Sequence, residues 1–228
     1  MQSNRLLSAL SRKDQRELSA ACDEVELCTG DILWEPLKPI RNVYFPLDCS
    51  IAQMLPVDSH KNLELDLIGD EGMLGLPLVL NMNISVFQAL VQSPGNALRI
   101  NAVSFLRVLE RLPALRQQLN RYAYVSHIQL ALTAACISFH SLDLRLARLL
   151  LMNHDRAEFD NFYLTHNFMA QILGVRRVGV TNAAGLLQKQ RLLSYSRGDI
   201  TILNRAGLEK ASCECYQASR DMYDRVLV

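Results

Sequence analysis

The chain lacks almost every pattern that marks an enzyme active site. It has one tryptophan, and aromatic residues fill only 7% of its 228 positions. Gly-x-Ser-x-Gly, a phosphate-loop lysine motif and His-Glu-x-x-His are all absent, which removes the nucleophile elbow, the phosphate cradle and the zinc-protease helix. A cupin metal site would need His-x-His and a trailing glutamate, yet His60 stands alone among the candidate strands. No run approaches 18 uninterrupted apolar residues, so no transmembrane helix is expected. The opening Leu6-Leu7-Ser8-Ala9-Leu10 is too short for an export signal and soon meets Arg12-Lys13-Asp14. The expected location is the cytoplasm, without membrane attachment.

Cysteine is present but poorly spaced for chemistry. The thiols at 22, 28, 49, 136, 213 and 215 are scattered, and without an export signal they should be reduced. Cys213-Glu214-Cys215 lacks the two-residue spacer of common zinc and redox motifs. The reading is therefore buried or incidental thiols, with no metal and no cofactor.

Charge is balanced overall and uneven in detail. The net charge of +1 hides 8 Lys/Arg against 13 Asp/Glu in residues 1–100, and 6 against 1 in residues 164–205. One compact basic block suits an anionic partner.

What is there divides into three textures. Residues 5–22 look helical, with Leu6, Leu10, Leu18 and Ala21 on related faces and Ser11 as a cap or break. From 24 to 103, short apolar runs such as Val43-Tyr44-Phe45 alternate with turn signals such as Gly69-Asp70-Glu71-Gly72. Leu63–Leu67 alternates apolar and acidic residues, the pattern of a half-buried strand. Many short strands at this spacing predict a compact barrel or sandwich.

Residues 101–112 then read as a short helix stopped by Pro113. Pro113 suits the first turn of a long helix reaching about Ser138. Val125, Ile128, Leu132, Ala135, Phe139 and Leu142 form one stripe along it. Leu115, Leu119, Tyr122, Ser126, Gln129, Thr133 and Cys136 form a second, more polar one. Two stripes call for burial on two sides: one against the strand domain, the other against a second copy of the helix. The alternative is the central helix of a single large core. Domains are expected at 1–112, 113–140 and 141–228, in an α+β fold.

The most specific pattern begins at Leu164. Thr165 can cap a helix with Phe168, Met169, Ile172 and Leu173 on its apolar side. Gly174 can take the left-handed conformation of a tight turn. A second helix from about Arg176 to Gln190 should turn Val180, Ala183, Ala184 and Leu187 inward. Ala170-x-x-x-Gly174-x-x-x-x-x-Val180 is the spacing of a helix-turn-helix, because a small residue is needed where the helices cross closely. Leu192–Ser196 and Ile200–Leu203, joined by Arg197-Gly198-Asp199, read as a hairpin wing.

Together these features resemble the Crp/Fnr superfamily of bacterial transcription regulators, over nearly the whole chain and most tightly over Leu164–Leu203. The variant Leu173-Gly174-Val175-Arg176-Arg177, the Tyr195–Leu203 hairpin and the tail Ala211-Ser212-Cys213-Glu214-Cys215-Tyr216 are similar to a subgroup of it. The resemblance implies an N-terminal β-roll like a cyclic-nucleotide-binding domain, a dimerisation helix and a C-terminal winged helix-turn-helix. It also implies a homodimer on a palindromic promoter site and RNA polymerase as a partner, the effector being unnamed.

For the seam, the expected residues are Leu115, Leu119, Tyr122, Val125, Ile128, Leu132, Ala135 and Phe139. For DNA they are Thr165, His166, Asn167, Arg176, Arg177, Val178, Thr181, Asn182, Ser196 and Arg197. Of these, His166, Asn167, Arg176, Ser196 and Arg197 are expected on phosphate. Arg177 matches the family's guanine-reading arginine; Val178 replaces a family glutamate and Asn182 a family arginine.

The β-roll departs from members that bind cyclic nucleotides. Leu76 falls at their ribose-binding glutamate and Phe87 at their phosphate-binding arginine, and neither replacement can pair with a phosphate. Cys22, Cys28 and Cys49 do not reproduce the cysteine group of iron–sulfur members. His60, His127 and His140 leave haem open beside their reading as ordinary histidines. A rival reading is a β-barrel effector-binding or enzymatic protein whose helix-turn-helix meets protein; the basic Arg176-Arg177 pair speaks against it.

Overall fold

Two short helices, α1 (Arg5–Ser8) and α2 (Arg12–Ser19), open the chain, divided near Ser11, the position read as a cap or break. The break falls where Ser11 caps α2, accepting from the Asp14 N–H at 3.2 Å. Asn4 caps α1 and is itself buried; its amide donates to the carbonyls of Pro46 at 3.0 Å and Gly72 at 2.9 Å. The computed structural model describes residues 4–58, 61–157 and 159–227, so His60 lies outside the described residues. The chain divides into two compact units. One is Met1–Met54, Asp66–His127 and Met222–Val228; the other is Leu55–Leu65 and Ile128–Asp221.

Seven strands follow in the β-rich part: β1 (Asp23–Leu27), β2 (Ile32–Trp34), β3 (Asn42–Pro46), β4 (Ser50–Asp58), β5 (Lys61–Ile68), β6 (Gln88–Ser93) and β7 (Gly95–Asn101). They form two sheets, ordered β1-β7-β3 and β2-β6-β4-β5. In the first, β7 lies antiparallel between its neighbours, with Val25 and Phe45 opposite Ala97 and Leu98 respectively. Val43, Phe45, Ile51, Ala89, Val91 and Ala97 have no exposed surface, which gives this unit a closed apolar interior. The one-turn helix α3 (Leu76–Val79) sits between β5 and β6.

The alternation in β5 is observed, but both acids are buried, and of the apolar residues Leu63, Leu65 and Leu67 only Leu67 is. Glu64 and Asp66 are 8% and 7% exposed, while Leu63 and Leu65 are only half-buried. Each acid has a polar or electrostatic partner, as burial of a carboxyl requires. Period-2 patterning shows that a strand has two unlike faces; it does not say which one turns inward.

Helix α4 (Ala102–Arg111) is capped by Asn101, whose side chain accepts from the Ser104 N–H at 2.9 Å. Pro113 then opens α5 (Pro113–Phe139), a single helix of 27 residues. By length and composition α5 could cross a membrane, although no uninterrupted apolar run predicted it. The window is apolar on average because Gln, Ser and Thr interrupt it instead of charges. Its Leu115, Leu119 and Tyr122 pack in the β-unit core with Phe45, Phe105 and Leu109, as a core helix of a globular protein does.

The C-terminal unit contains α6 (Leu142–His154), β8 (Asn161–Tyr163), α7 (His166–Leu173), α8 (Arg177–Lys189), β9 (Leu193–Ser196), β10 (Asp199–Ile202), α9 (Arg205–Lys210) and most of α10 (Cys215–Leu227). Its core joins Leu146, Leu150 and Leu151 of α6 to Met169 and Ile172 of α7, Val180 of α8 and Leu208 of α9. Arg205 ties the unit's end together: it donates to His154 Nδ1 at 2.7 Å, Tyr216 Oη at 2.6 Å and Glu209 Oε1 at 3.1 Å. His154 is set to accept there because its Nε2 donates to Asp160 at 2.9 Å.

Leu119 has no exposed surface in the β-unit core. Leu119→Ala should therefore lower unfolding free energy by about 2–5 kcal/mol, read as a shifted urea midpoint with an unchanged slope.

Candidate nucleic-acid interface

The interface is built on two small residues and a left-handed turn. Thr165 Oγ1 accepts from the Phe168 N–H at 3.2 Å and starts α7. Met169, Ala170, Ile172 and Leu173 are buried beneath it. The helix stops at Gly174, whose φ of 64° and ψ of 36° are left-handed. There the Gly174 N–H bonds the Gln171 carbonyl at 3.2 Å and the Val175 N–H bonds the Ala170 carbonyl at 3.0 Å. This is the Schellman pattern, which satisfies carbonyls the helix end would leave orphaned. Arg145 of α6 donates to the Leu173 carbonyl, holding the same end from the side. Helix α8 then packs back through Val180, Ala183, Ala184 and Leu187, all buried.

The opposite face of α8 is open. Arg177, Val178, Thr181 and Asn182 are exposed along it, followed by Leu186, Gln188 and Lys189. Val178 keeps 64% of its surface. Between His166 and Lys189 there is no acidic residue. Arg176 stands exposed at the N-cap, where its side chain makes no capping bond, and Asn167 is exposed at the start of α7.

His166 is placed differently from expectation. Its ring stacks on Tyr195 with centroids 3.9 Å apart and planes 15° from parallel. Nδ1 lies 3.1 Å from Thr181 Oγ1, and that hydroxyl is also 3.1 Å from the Arg177 carbonyl to which it donates. Nε2 is buried without a partner. With one ring nitrogen bonded to Thr181 and the other buried, the ring is not turned toward a phosphate as expected. His166 instead braces Thr181 on α8. Desolvation first, and then the nearby Arg177 cation, lower its pKa from the ordinary histidine value. Sequence spacing could not show this, because Tyr195 lies on another element.

The wing is a two-residue hairpin. Ser196 pairs with Asp199, and Arg197 and Gly198 turn the chain with φ of 54° and 104°. Positive φ at both central positions matches a type I′ turn, whose twist suits paired strands. Tyr163 lies over the turn so closely that a Cβ on Gly198 would come within 2.5 Å of its ring. Tyr163 belongs to β8, a third wing strand that pairs with β10 and was not foreseen. Three residues are too few to show alternation. Ser196 and Arg197 both remain exposed at the tip.

The positions expected at a dimer seam divide by burial. Leu115, Leu119, Tyr122 and Val125 are at most 1% exposed within their own chain, which removes them from any seam. Leu115, Leu119 and Tyr122 come from the more polar stripe, and Val125 begins the other. Ile128, Leu132 and Ala135 are partly exposed, and Phe139 is 83% exposed. Only 22% of the most apolar 18-residue window of α5 is buried. Tyr124, 55% exposed, joins this free face and was missed because it lies outside both stripes.

In the β-roll, Leu76 opens α3 and packs on the core, and Phe87 is half-buried before β6. Neither side chain offers charge or a hydrogen-bond donor.

Two short helices crossing at a Schellman turn, a basic outer face and a hairpin wing define a winged helix-turn-helix. Residues 144–211 match the family model of the Crp-like helix-turn-helix domain. Three solved structures share the fold over most of the chain. A Crp/Fnr-family protein from Eubacterium rectale has 19% identity, with 90% of this chain and 96% of that one covered and a TM-score of 0.70. FixK2 from Bradyrhizobium japonicum has 14% identity, 84% and 98% coverage and a TM-score of 0.72. The regulator CLP from Xanthomonas campestris has 13% identity, 84% and 99% coverage and a TM-score of 0.68. Comparison with curated protein sequences gives no match. The chain thus shares the fold of these structures over 84–90% of its length, and residues 144–211 match a Crp-like helix-turn-helix domain.

His166 links pH to the interface. Its folded pKa lies below the unfolded one, so its contribution to stability is complete above the ordinary histidine value. That contribution is lost as pH falls through the folded pKa. The wild-type melting temperature should fall as pH drops below about 6.5, and His166→Phe should flatten that dependence in a pH series of thermal melts.

Proposed function

We propose that this protein is a sequence-specific DNA-binding transcription regulator, acting as a homodimer on a palindromic promoter site without control by cyclic nucleotides. The observation that carries the reading is the open face of α8, with Arg177, Val178, Thr181 and Asn182 exposed on an acid-free helix. Such a helix fits the major groove. Arg177, at its first turn, can present a planar fork to guanine O6 and N7. Val178 can touch a thymine methyl and Asn182 can pair with adenine, so the site should differ from that read by a glutamate and an arginine. Asn167, Arg176, Ser196 and Arg197 then serve as phosphate contacts that position the domain, and Thr165 holds α7 in place.

The dimer rests on α5. Its unburied apolar window is too extensive to leave in water, and Ile128, Leu132, Ala135 and Phe139 with Tyr124 would form the seam. Two-fold symmetry then sets half-sites about one helical turn apart, roughly 34 Å. Bound at a promoter, the dimer would meet RNA polymerase, which puts the protein in the cytoplasm. No catalytic step is assigned to it. Leu76 and Phe87 support independence from cyclic nucleotides, since a desolvated phosphate needs a cation or oriented donors.

The test is selection from random DNA with wild type and two variants. Arg177→Ala should relax the motif at one base pair per half-site, at a cost of about 1–3 kcal/mol of discrimination. Arg197→Ala should weaken all sequences about equally and flatten the salt dependence. If Arg177→Ala loses affinity but keeps the wild-type motif, base readout by this residue fails.

Sedimentation supplies the second test. Wild type should be a dimer at micromolar concentration and Ile128→Asp a monomer, because the seam would bury an unpaired carboxylate. A monomeric wild type overturns the dimer. Calorimetric titration with cyclic AMP and cyclic GMP should release no binding heat at micromolar ligand, and micromolar affinity for either overturns the effector reading.

A further inference from the structure

Four side chains that the DNA-binding reading does not use converge inside the C-terminal unit. Cys136 lies on the last turn of α5 and His140 four residues on; Cys213 precedes α10 and Cys215 begins it. One liganding atom from each falls within 4.8 Å of all the others. Cys136 Sγ and Cys213 Sγ are 3.5 Å apart, and Cys215 Sγ is 3.6 Å from His140 Nδ1. A disulfide would need sulfurs about 2.0 Å apart. The corners of a tetrahedron built on zinc–sulfur bonds of about 2.3 Å are separated by roughly 3.8 Å, close to what is found.

The surroundings fit an ion as well as the four atoms do. His140 turns Nδ1 toward the sulfurs, and its Nε2 lies 3.3 Å from Glu214 Oε1 on the other side. A metal-bound histidine characteristically donates its second N–H to a carboxylate, which fixes the ring's tautomer and aim. Charge also balances. Three thiolates and a neutral imidazole on a divalent cation leave one negative charge. Arg148 is 6% exposed, with Nε and Nη2 lacking hydrogen-bond partners. Arg148 lies beside Cys136. A buried guanidinium needs a nearby anion, and the thiolate cluster is one.

We propose that Cys136, His140 through Nδ1, Cys213 and Cys215 form a closed tetrahedral site for one zinc ion. Four protein ligands with no open position make the site structural rather than catalytic, and the thiolate-rich set selects zinc over harder cations. The compactness of the set suits a single ion rather than a multi-iron cluster, whose ligands spread over several metal atoms. On binding, each of the three thiols gives up its proton to solvent. The ion would fasten the end of α5 to the start of α10. The spacing Cys-x-Cys concealed this, because half of the ligand set lies some seventy residues earlier, as Cys136 and His140 at one helical turn.

Metal analysis of the full chain, purified without chelator and with reductant, tests the site. About one zinc per chain is expected from the four-ligand count, with the ion lost in Cys136→Ser and Cys213→Ser and kept in Cys28→Ser. The cysteine variants could fail to fold, so two further measurements stand apart from them. Cobalt added to the zinc-depleted wild type should give the visible bands of a tetrahedral ion and near-ultraviolet thiolate charge transfer. Glu214→Gln, at a position whose side chain is 85% exposed, should fold normally and bind zinc about 10–100-fold more weakly. A folded wild type that holds no zinc and gives no cobalt bands overturns the proposal, as does a Cys136–Cys213 disulfide in the isolated protein.

Discussion

Helix α5 must satisfy two different surroundings along one unbroken rod, and much of the architecture follows from how it does so. Its first half is apolar on the face that enters the β-unit core, where Leu115, Leu119 and Tyr122 pack with Phe45 and Phe105. Its second half turns to polar and sulfur chemistry. The amide of Gln129 donates to the Ser219 carbonyl at 3.2 Å, and the Ser219 hydroxyl donates back to Gln129 Oε1 at 2.7 Å. A buried amide with both ends paired costs little and tolerates no slip in register. Helix α10 shows the same change of partners in reverse, since Gln118 donates to the Leu227 carbonyl near its end. With Pro113 as its only proline, at the first position, α5 keeps every interior backbone hydrogen bond available.

The DNA-binding module shows a different economy, in which a few constraints hold a rigid face outward. Gly174 supplies a backbone conformation that other residues reach only with strain, and Ala170 lets the two helices approach. The outer residues of α8 are then free of structural duty, apart from Thr181. Its hydroxyl is shared between the Arg177 carbonyl and the His166 ring, so the helix's first two turns are tied to α7 and, through Tyr195, to the wing. A reading face of this kind gains precision because its support lies on regular elements rather than loops.

Legibility in the sequence followed the range of the interaction concerned. The helix-turn-helix could be read because its determinants are local: a cap at Thr165, a left-handed glycine, and inward positions at helical spacing. The wing was equally plain, from two short strands around Arg197-Gly198. The β-roll was legible as a class but not in detail, since β5 buries Glu64 and Asp66 where its pattern is symmetrical between the two faces. The break between α1 and α2 was marked by Ser11, because a cap acts within one turn of its own helix. His166 looked like a phosphate ligand because its neighbours along the chain are exposed and polar; its stacking partner lies 29 residues away.

By itself the sequence determined the local conformations, the basic character of residues 164–205 and the outward face of α8. Backbone preference and helical periodicity act over a few residues, so they are written in short stretches of chain. Tertiary structure alone decided which residues of the two stripes on α5 are core, because burial is a property of everything that surrounds a side chain. It alone placed His166 against Tyr195. It alone brought Cys136 and His140 to Cys213 and Cys215, because a cluster drawn from distant segments exists only once the chain has folded and their side chains share one site.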